Sequence, residues 1–263
     1  MTGGGPPLPE RLRAEADATA ERLREACRQA GVLPPVQPGF QDSLQRVLAF
    51  SDFVAEGVIQ EPALLAELAG GGDLDRVYPP DGFRIRATAF LAGTANLDEL
   101  SARLRRFRRR EMVRIAWRDL AGRADLTETT AERSALAEAC LDLALEWLHP
   151  RLCADHGEPC SADGRPQHLV VMALGKLGAR ELNFSSDVDL VFAYPAAGET
   201  RGGPAPIDNT DFFTRLARRL IRVIGEVTAE GFVFRIDLRL RPFGEGGPLV
   251  MGFDAMERYY QEQ

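Results

Sequence analysis

Between Leu8 and Gly31, small apolar residues recur at helical spacing: Leu12, Ala16, Ala20, Leu23, Ala26 and Cys27. That period, closed by a glycine, predicts one amphipathic helix. The run Val32-Leu-Pro-Pro-Val-Gln-Pro-Gly39 predicts a linker or sharp break. From Phe40 to about Ala69 the pattern reads as two helices divided near Gly57, with Gly70-Gly71-Gly72 closing the second. Residues 97–121 predict a long Arg-rich helix. Residues 129–148 predict another, with Leu136, Ala139, Cys140, Leu143, Leu145 and Trp147 along it.

The character changes after Pro150. His168-Leu-Val-Val-Met-Ala-Leu174 is a short apolar run ending at glycine, the form of a buried strand. Asp187-Val-Asp-Leu-Val-Phe-Ala-Tyr194 predicts a second strand, residues 195–209 a flexible excursion, and residues 210–229 a helix. A third strand is expected from Phe232 to Leu240. The expected organisation is an N-terminal helix and linker (1–38), a helical region (39–150) and an α+β region with a small mixed sheet (151–263).

Composition narrows the function classes. The chain has 263 residues, 45% of them hydrophobic, and a formal net charge of −7. Neither half carries the basic excess that phosphate neutralisation on nucleic acid requires. No apolar run approaches the roughly 20 residues that span a bilayer, and the first residues lack a signal-peptide pattern. Cys27, Cys140, Cys153 and Cys160 form no CxxC pair. A cytoplasmic protein binding neither nucleic acid nor membrane is expected. Of the 32 basic residues, Lys176 is the one lysine. A lysine kept against such an arginine background points to a place where the compact ammonium is wanted.

Candidate chemistry starts with Asp187 and Asp189. Residues i and i+2 of a strand share a face, so both carboxylates project together and can converge on one hard cation. In the third strand Arg235, Asp237, Arg239 and Arg241 share one face, which offers a further acid flanked by cations able to hold phosphate. Ahead of both lies Gly175-Lys176-Leu177-Gly178, whose glycines allow the backbone close to a phosphate. It is not a P-loop. The order of Gly-containing loop, Asp-x-Asp and a lone Asp on a later strand is that of a nucleotidyltransferase palm, where carboxylates hold divalent cations for in-line phosphoryl transfer.

The run Gly175-Lys-Leu-Gly-Ala-Arg-Glu-Leu-Asn-Phe-Ser-Ser-Asp-Val-Asp-Leu-Val-Phe-Ala-Tyr-Pro195, with Arg235-Ile-Asp-Leu-Arg-Leu-Arg-Pro-Phe-Gly244, closely resembles the bacterial bifunctional glutamine synthetase adenylyltransferase/adenylyl-removing enzymes. The resemblance extends to Ser51-Asp-Phe-Val-Ala55, Phe107–Leu120 and Tyr259–Gln263. The form Asn183-Phe-Ser-Ser-Asp-Val-Asp189 resembles the N-terminal, adenylyl-removing domain of that family.

Several expectations follow from the resemblance. Inorganic phosphate would attack the AMP–tyrosine linkage on glutamine synthetase and give ADP, in control of nitrogen assimilation. Asp187, Asp189 and Asp237 would hold Mg2+ or Mn2+. Gly175, Lys176 and Ser186 would face the nucleotide phosphates, and Arg239 or Arg241 the incoming phosphate. Glutamine synthetase and a PII signal protein would be partners. The family chain is more than three times longer, so an N-terminal fragment is expected, with the palm cut before its C-terminal helices. The stripe of Met256, Tyr259 and Tyr260, running on without a glycine cap, agrees.

Other readings stand beside this one. The same palm could adenylylate glutamine synthetase with ATP, or the fragment could sense PII without catalysis. Arg103, Arg105, Arg106, Arg108, Arg109 and Arg110 are expected on a solvated or partner-facing helix. His149, Cys153, His156 and Cys160 fit no common zinc spacing.

Overall fold

The computed structural model describes residues 8–35 and 39–262. Met1–Pro7 and the linker residues 36–38 lie outside the described residues. The chain divides into two compact units: residues 1–80 with 107–133, and residues 81–106 with 134–263. The expected boundary at residue 150 is thereby corrected. Position 150 falls inside a single helix that runs from Leu126 to His156 with Pro150 within it.

The first unit is helical. Helix α1 (Glu10–Ala30) buries Ala16, Ala20, Leu23 and Cys27, and Gly31 ends it in the left-handed conformation. Three helices follow where two are expected: α2 (Phe40–Phe50), α3 (Asp52–Gln60) and α4 (Pro62–Gly70). The breaks have local causes. The Ser51 hydroxyl caps α3 by accepting from the Val54 N–H, and Pro62 starts α4 at a position that needs no donor. Gly57, the expected break, lies within α3, where an added Cβ would meet Val113 at 3.3 Å. Phe40 stacks on Trp117 with ring centroids 5.3 Å apart, within a core that includes Val47, Val54, Val58, Leu65 and Leu68.

The arginines of helix α6 (Leu97–Leu120) correct a second expectation in part: Arg106 is exposed as expected, while Arg105 and Arg110 are buried. In this unit Arg110, Arg114 and Arg118 follow one another at i, i+4 and i+8 and are buried. Arg110 reaches Glu67 at 2.8 Å and Asp73 at 2.7 Å. Arg114 donates twice to Glu132 at 2.9 Å and to the Asp73 carbonyl at 3.0 Å, and its guanidinium lies 3.5 Å from the Tyr78 ring centroid. Arg118 pairs with Glu128. Burial, followed by the Glu111 charge, pushes the Tyr78 hydroxyl up to about 12. The stripe is therefore internal: it satisfies the carbonyls and acids of the 73–76 turn, which a packed core would otherwise leave without water.

The second unit is α+β. It contains α5 (Gly82–Leu91), the first part of α6, most of α7 (Leu126–His156), and six strands. Here too two of the arginines bond to the backbone: Arg103 donates to the Ala92 carbonyl at 2.7 Å, and buried Arg105 to the Glu226 carbonyl at 3.0 Å. Strands β1 (Gly157–Ser161) and β4 (Gly198–Gly202) form an antiparallel pair, so the expected flexible excursion holds a strand.

The main sheet is built on β3 (Val188–Tyr194). Strand β2 (Val170–Leu174) lies antiparallel along one edge. On the other edge two short parallel strands share its length, β5 (Ile236–Asp237) at its start and β6 (Val250–Gly252) at its end. The expected third strand is thus cut to two residues. One face of β3 carries Val188, Leu190, Phe192 and Tyr194, all buried. Tyr194 stacks on Phe213 of α9 (Asn209–Gly225) and its hydroxyl meets that of Thr210 at 2.8 Å. The opposite face carries Asp189, Val191 and Ala193. Helix α10 (Phe253–Glu262) packs Met256 against Val191 and Ala193, while Met172 and Leu174 beside them stay partly exposed. Among the described residues no helix is long and apolar enough to cross a membrane.

One stability test follows from the buried charges. Arg114→Met strands the Glu132 carboxylate and the Asp73 carbonyl in a buried setting, and should cost about 3–5 kcal/mol in urea unfolding. The double variant Arg114→Met/Glu132→Met should recover much of that loss, because no buried charge is left alone. A loss below about 1 kcal/mol for the single variant would show that the pair is not held in the folded core.

Candidate functional site

The site forms where β3 begins. Val188 donates its N–H to the Arg235 carbonyl at 2.8 Å, and this bond sets the register that makes Asp189 the direct partner of Asp237. Adjacent strands lie about 4.8 Å apart, so these two acids are neighbours at the backbone on the partly open face. Asp187 stands one residue before the strand. The Asp189 carboxyl is pushed up by burial first, then by the charge of Asp237 and then by that of Asp187. The structure therefore brings the three acids into one electrostatic neighbourhood.

Their present partners differ. Arg235 Nε lies 2.5 Å from Asp187 Oδ1, and the same guanidinium donates to the Ser185 carbonyl. Asp237 accepts the Arg239 backbone N–H at 2.8 Å and its guanidinium at 2.9 Å, which holds the carboxyl down at about 2. The Asp189 carboxylate makes no hydrogen bond and forms no ion pair among the described residues. As the side chains stand, no three His, Cys, Asp or Glu groups among the described residues are placed to hold a metal ion. The donor set nevertheless suits a hard divalent cation: three carboxylates, one of them partly buried without an ion pair, at neighbouring backbone positions.

The glycine loop lies against this set. Leu174 pairs with Asp189 across β2 and β3, so Gly175 follows directly beside it. Gly175 has φ +53°, and a Cβ there would run into Asp189 Oδ2. Only glycine permits this approach. The expected loop is one helical turn, α8 (Gly175–Gly178), anchored by buried Leu177. Lys176 is exposed on that turn.

Asn183 shapes the segment before Asp187. Its side-chain oxygen accepts from the Ser185 N–H at 3.2 Å and the Ser186 hydroxyl at 2.7 Å. Before it, Arg180 sits at φ +58° and grips Glu138 through two bonds of 3.0 and 2.8 Å. Sequence reasoning passed over Asn183 and Arg235 as positioning groups. The Asn-x-Ser-Ser spacing was the available signal for the first.

Arg239 and Arg241 do not share a strand face with Asp237. The strand stops because the Asp237 carboxylate takes the Arg239 N–H, a local bond that competes with the ladder. Arg241 then turns back, donating to the Leu238 and Glu245 carbonyls, each at 2.9 Å. It braces a loop in which Phe243 adopts φ +62°, so the expected face shared by Arg235, Asp237, Arg239 and Arg241 does not form. Of the histidine and cysteine set, His156 meets the Ala205 carbonyl at 2.8 Å and Cys160 is buried in β1.

Comparison with known proteins places this arrangement. Residues 41–263 match the family model described as glutamate-ammonia ligase adenylyltransferase. A protein of Pseudomonas aeruginosa named bifunctional glutamine synthetase adenylyltransferase/adenylyl-removing enzyme is 49% identical over 254 residues, covering 95% of this chain and 26% of that protein. Proteins with the same name from Thioalkalivibrio sulfidiphilus and Nitrosococcus oceani are 50% and 49% identical, each covering 97% of this chain and 26% of the relative. The chain thus spans about a quarter of the length of the curated relatives it matches. With a family model covering all but its first 40 residues, the chain belongs to the glutamate-ammonia ligase adenylyltransferase family.

Proposed function

We propose that this chain carries the adenylyl-removing activity, the phosphorolysis of the AMP–tyrosine linkage on glutamine synthetase in the cytoplasm, with a PII signal protein as regulator. The observation that carries the reading is the pairing of Asp189 with Asp237 beside a left-handed glycine turn at which an added Cβ would press on the Asp189 carboxylate. In this reading a phosphate oxygen attacks the phosphorus of the adenylyl group. The bond from phosphorus to the tyrosine oxygen breaks, ADP forms, and the tyrosine oxygen regains a proton.

The chemistry asks for alignment and charge neutralisation. Asp187, Asp189 and Asp237 would hold Mg2+ or Mn2+, which when bound supplies charge to neutralise the phosphoryl oxygens. Gly175 lets the backbone approach, Lys176 offers an exposed ammonium to phosphate, and the Ser186 hydroxyl is held toward Asn183 at the mouth of the site. Arg239, with an exposed guanidinium, can receive the attacking phosphate. The resemblance of Asn183–Asp189 to the removing domain supports removal over addition of AMP.

The assay uses the 263-residue protein with adenylylated glutamine synthetase, phosphate and Mg2+. ADP should appear at a rate that depends on phosphate. AMP as product without phosphate dependence would mean hydrolysis. Consumption of ATP with unmodified glutamine synthetase would reassign the chain to adenylylation.

Asp189→Asn should slow turnover a hundredfold or more, because one oxygen ligand to a hard cation is lost. Its melting temperature without metal should be equal or higher, since Asp189 has like-charged neighbours and no ion pair. Asp187→Asn should show no such gain, because it loses the Arg235 pair. A melting temperature several degrees lower for Asp189→Asn would overturn this account of its surroundings.

Lys176→Arg keeps the charge but replaces a compact ammonium by a planar fork. Turnover should fall with folding unchanged; a rate equal to that of the parent protein would remove Lys176 from the site.

A further inference from the structure

We propose that Arg235 and Arg239 are resident counter-ions of the acid cluster: in the cation-free protein they occupy carboxylate oxygens that a divalent cation takes, and cation binding displaces them. The proposal rests on the reading of Asp187, Asp189 and Asp237 as cation ligands. It addresses what that reading leaves open, namely why three acids meant for one site do not converge on it here.

The geometry points to competition. Two arginines, one just before β5 and one two residues after it, each engage one outer acid: Arg235 takes Asp187 Oδ1, and Arg239 takes both oxygens of Asp237. The central acid, Asp189, is bonded to neither, and Arg239 reaches it only through its charge. Three clustered anions without a cation repel one another, and two guanidinium groups lower that cost. The arginine side chains are 54% and 72% exposed, so water screens the cationic half of each pair, and a doubly charged cation of the right size outcompetes it.

Displacement leaves the framework in place. The Arg235 carbonyl continues to accept the Val188 N–H at 2.8 Å, so residue 235 stays in the sheet. The Arg239 backbone N–H holds Asp237 at 2.8 Å independently of its guanidinium. Released, both guanidinium groups remain tethered within a side chain's reach of the acids. Phosphate oxygens would stand there, and the planar fork suits them. The same two residues thus act as positioning groups in both states: they keep the carboxylates apart while the site is without cation and turn to the anionic ligand afterwards.

The test is Mn2+ binding to the full 263-residue protein, read from the electron paramagnetic resonance signal of free Mn2+, with no substrate present. Arg235→Gln and Arg239→Gln should each tighten Mn2+ binding about two- to fivefold, the range expected on removing an exposed competing ion pair. The number of sites should be unchanged, and Arg239→Lys, which keeps the charge, should bind as the parent does. If Arg235→Gln fails to fold because its bond to the Ser185 carbonyl is lost, Arg239→Gln still decides, since the Arg239 guanidinium bonds only Asp237 among the described residues. Unchanged or weaker binding in the Gln variants, with Mn2+ binding abolished in Asp189→Asn, would overturn the counter-ion role and leave the cation site standing. Undiminished Mn2+ binding in Asp189→Asn, or none in any of the proteins, would overturn both.

Discussion

A single backbone hydrogen bond, from the Val188 N–H to the Arg235 carbonyl, decides what the second unit can do. It joins two parallel strands so short that β5 has only two residues, and it fixes their register. A slip by one residue would turn Asp237 to the opposite face and set a carboxylate against the packing of α9. In the observed register Asp189 and Asp237 lie side by side on the partly open face. The cost of juxtaposing like charges is carried by the buried hydrophobic face behind them, where Val188, Leu190 and Phe192 have essentially no exposure.

The glycine turn depends on the same register. Because Leu174 pairs with Asp189, the next residue passes directly over its carboxylate, and a Cβ there would push that carboxylate aside. The Asn183 turn and the Arg180–Glu138 pair deliver Asp187 to the start of β3 from the other direction. The candidate site is thus a meeting of three chain segments, each ended by a local device: a left-handed glycine, an Asn-centred turn and a carboxylate that accepts the N–H two residues on.

Arginine does different work in different places. In the first unit Arg110, Arg114 and Arg118 are buried and bonded to carboxylates and carbonyls, where the donors of a guanidinium satisfy groups that water cannot reach. Beside the acids of the second unit, Arg235 and Arg239 are exposed and bonded to few groups. Burial separates the structural arginines from the exchangeable ones. Residue type and spacing could not, since a run of arginines reads as surface by composition alone.

Much of the architecture was legible from hydrophobic period. The predicted helices at 8–31, 97–121 and 210–229, and the strands at 168–174 and 187–194, all appear with ends shifted by a few residues. These elements are long or strongly patterned, and their own side chains create the buried face. The proximity of Gly175, Asp187, Asp189 and Asp237 was also legible, because they are close in sequence or lie on or beside strands read from alternation. What only the tertiary structure decided was pairing. Ser51 and Pro62, not Gly57, break the helices, and β1 with β4 makes a sheet from what reads as an excursion. The third strand stops at Asp237 because a side chain takes the N–H of Arg239, so Arg241 leaves the phosphate-facing row for a loop. Local pattern specifies which face of an element is apolar. Which carboxylate meets which guanidinium depends on the neighbouring strand, whose register is set by bonds between residues nearly 50 positions apart.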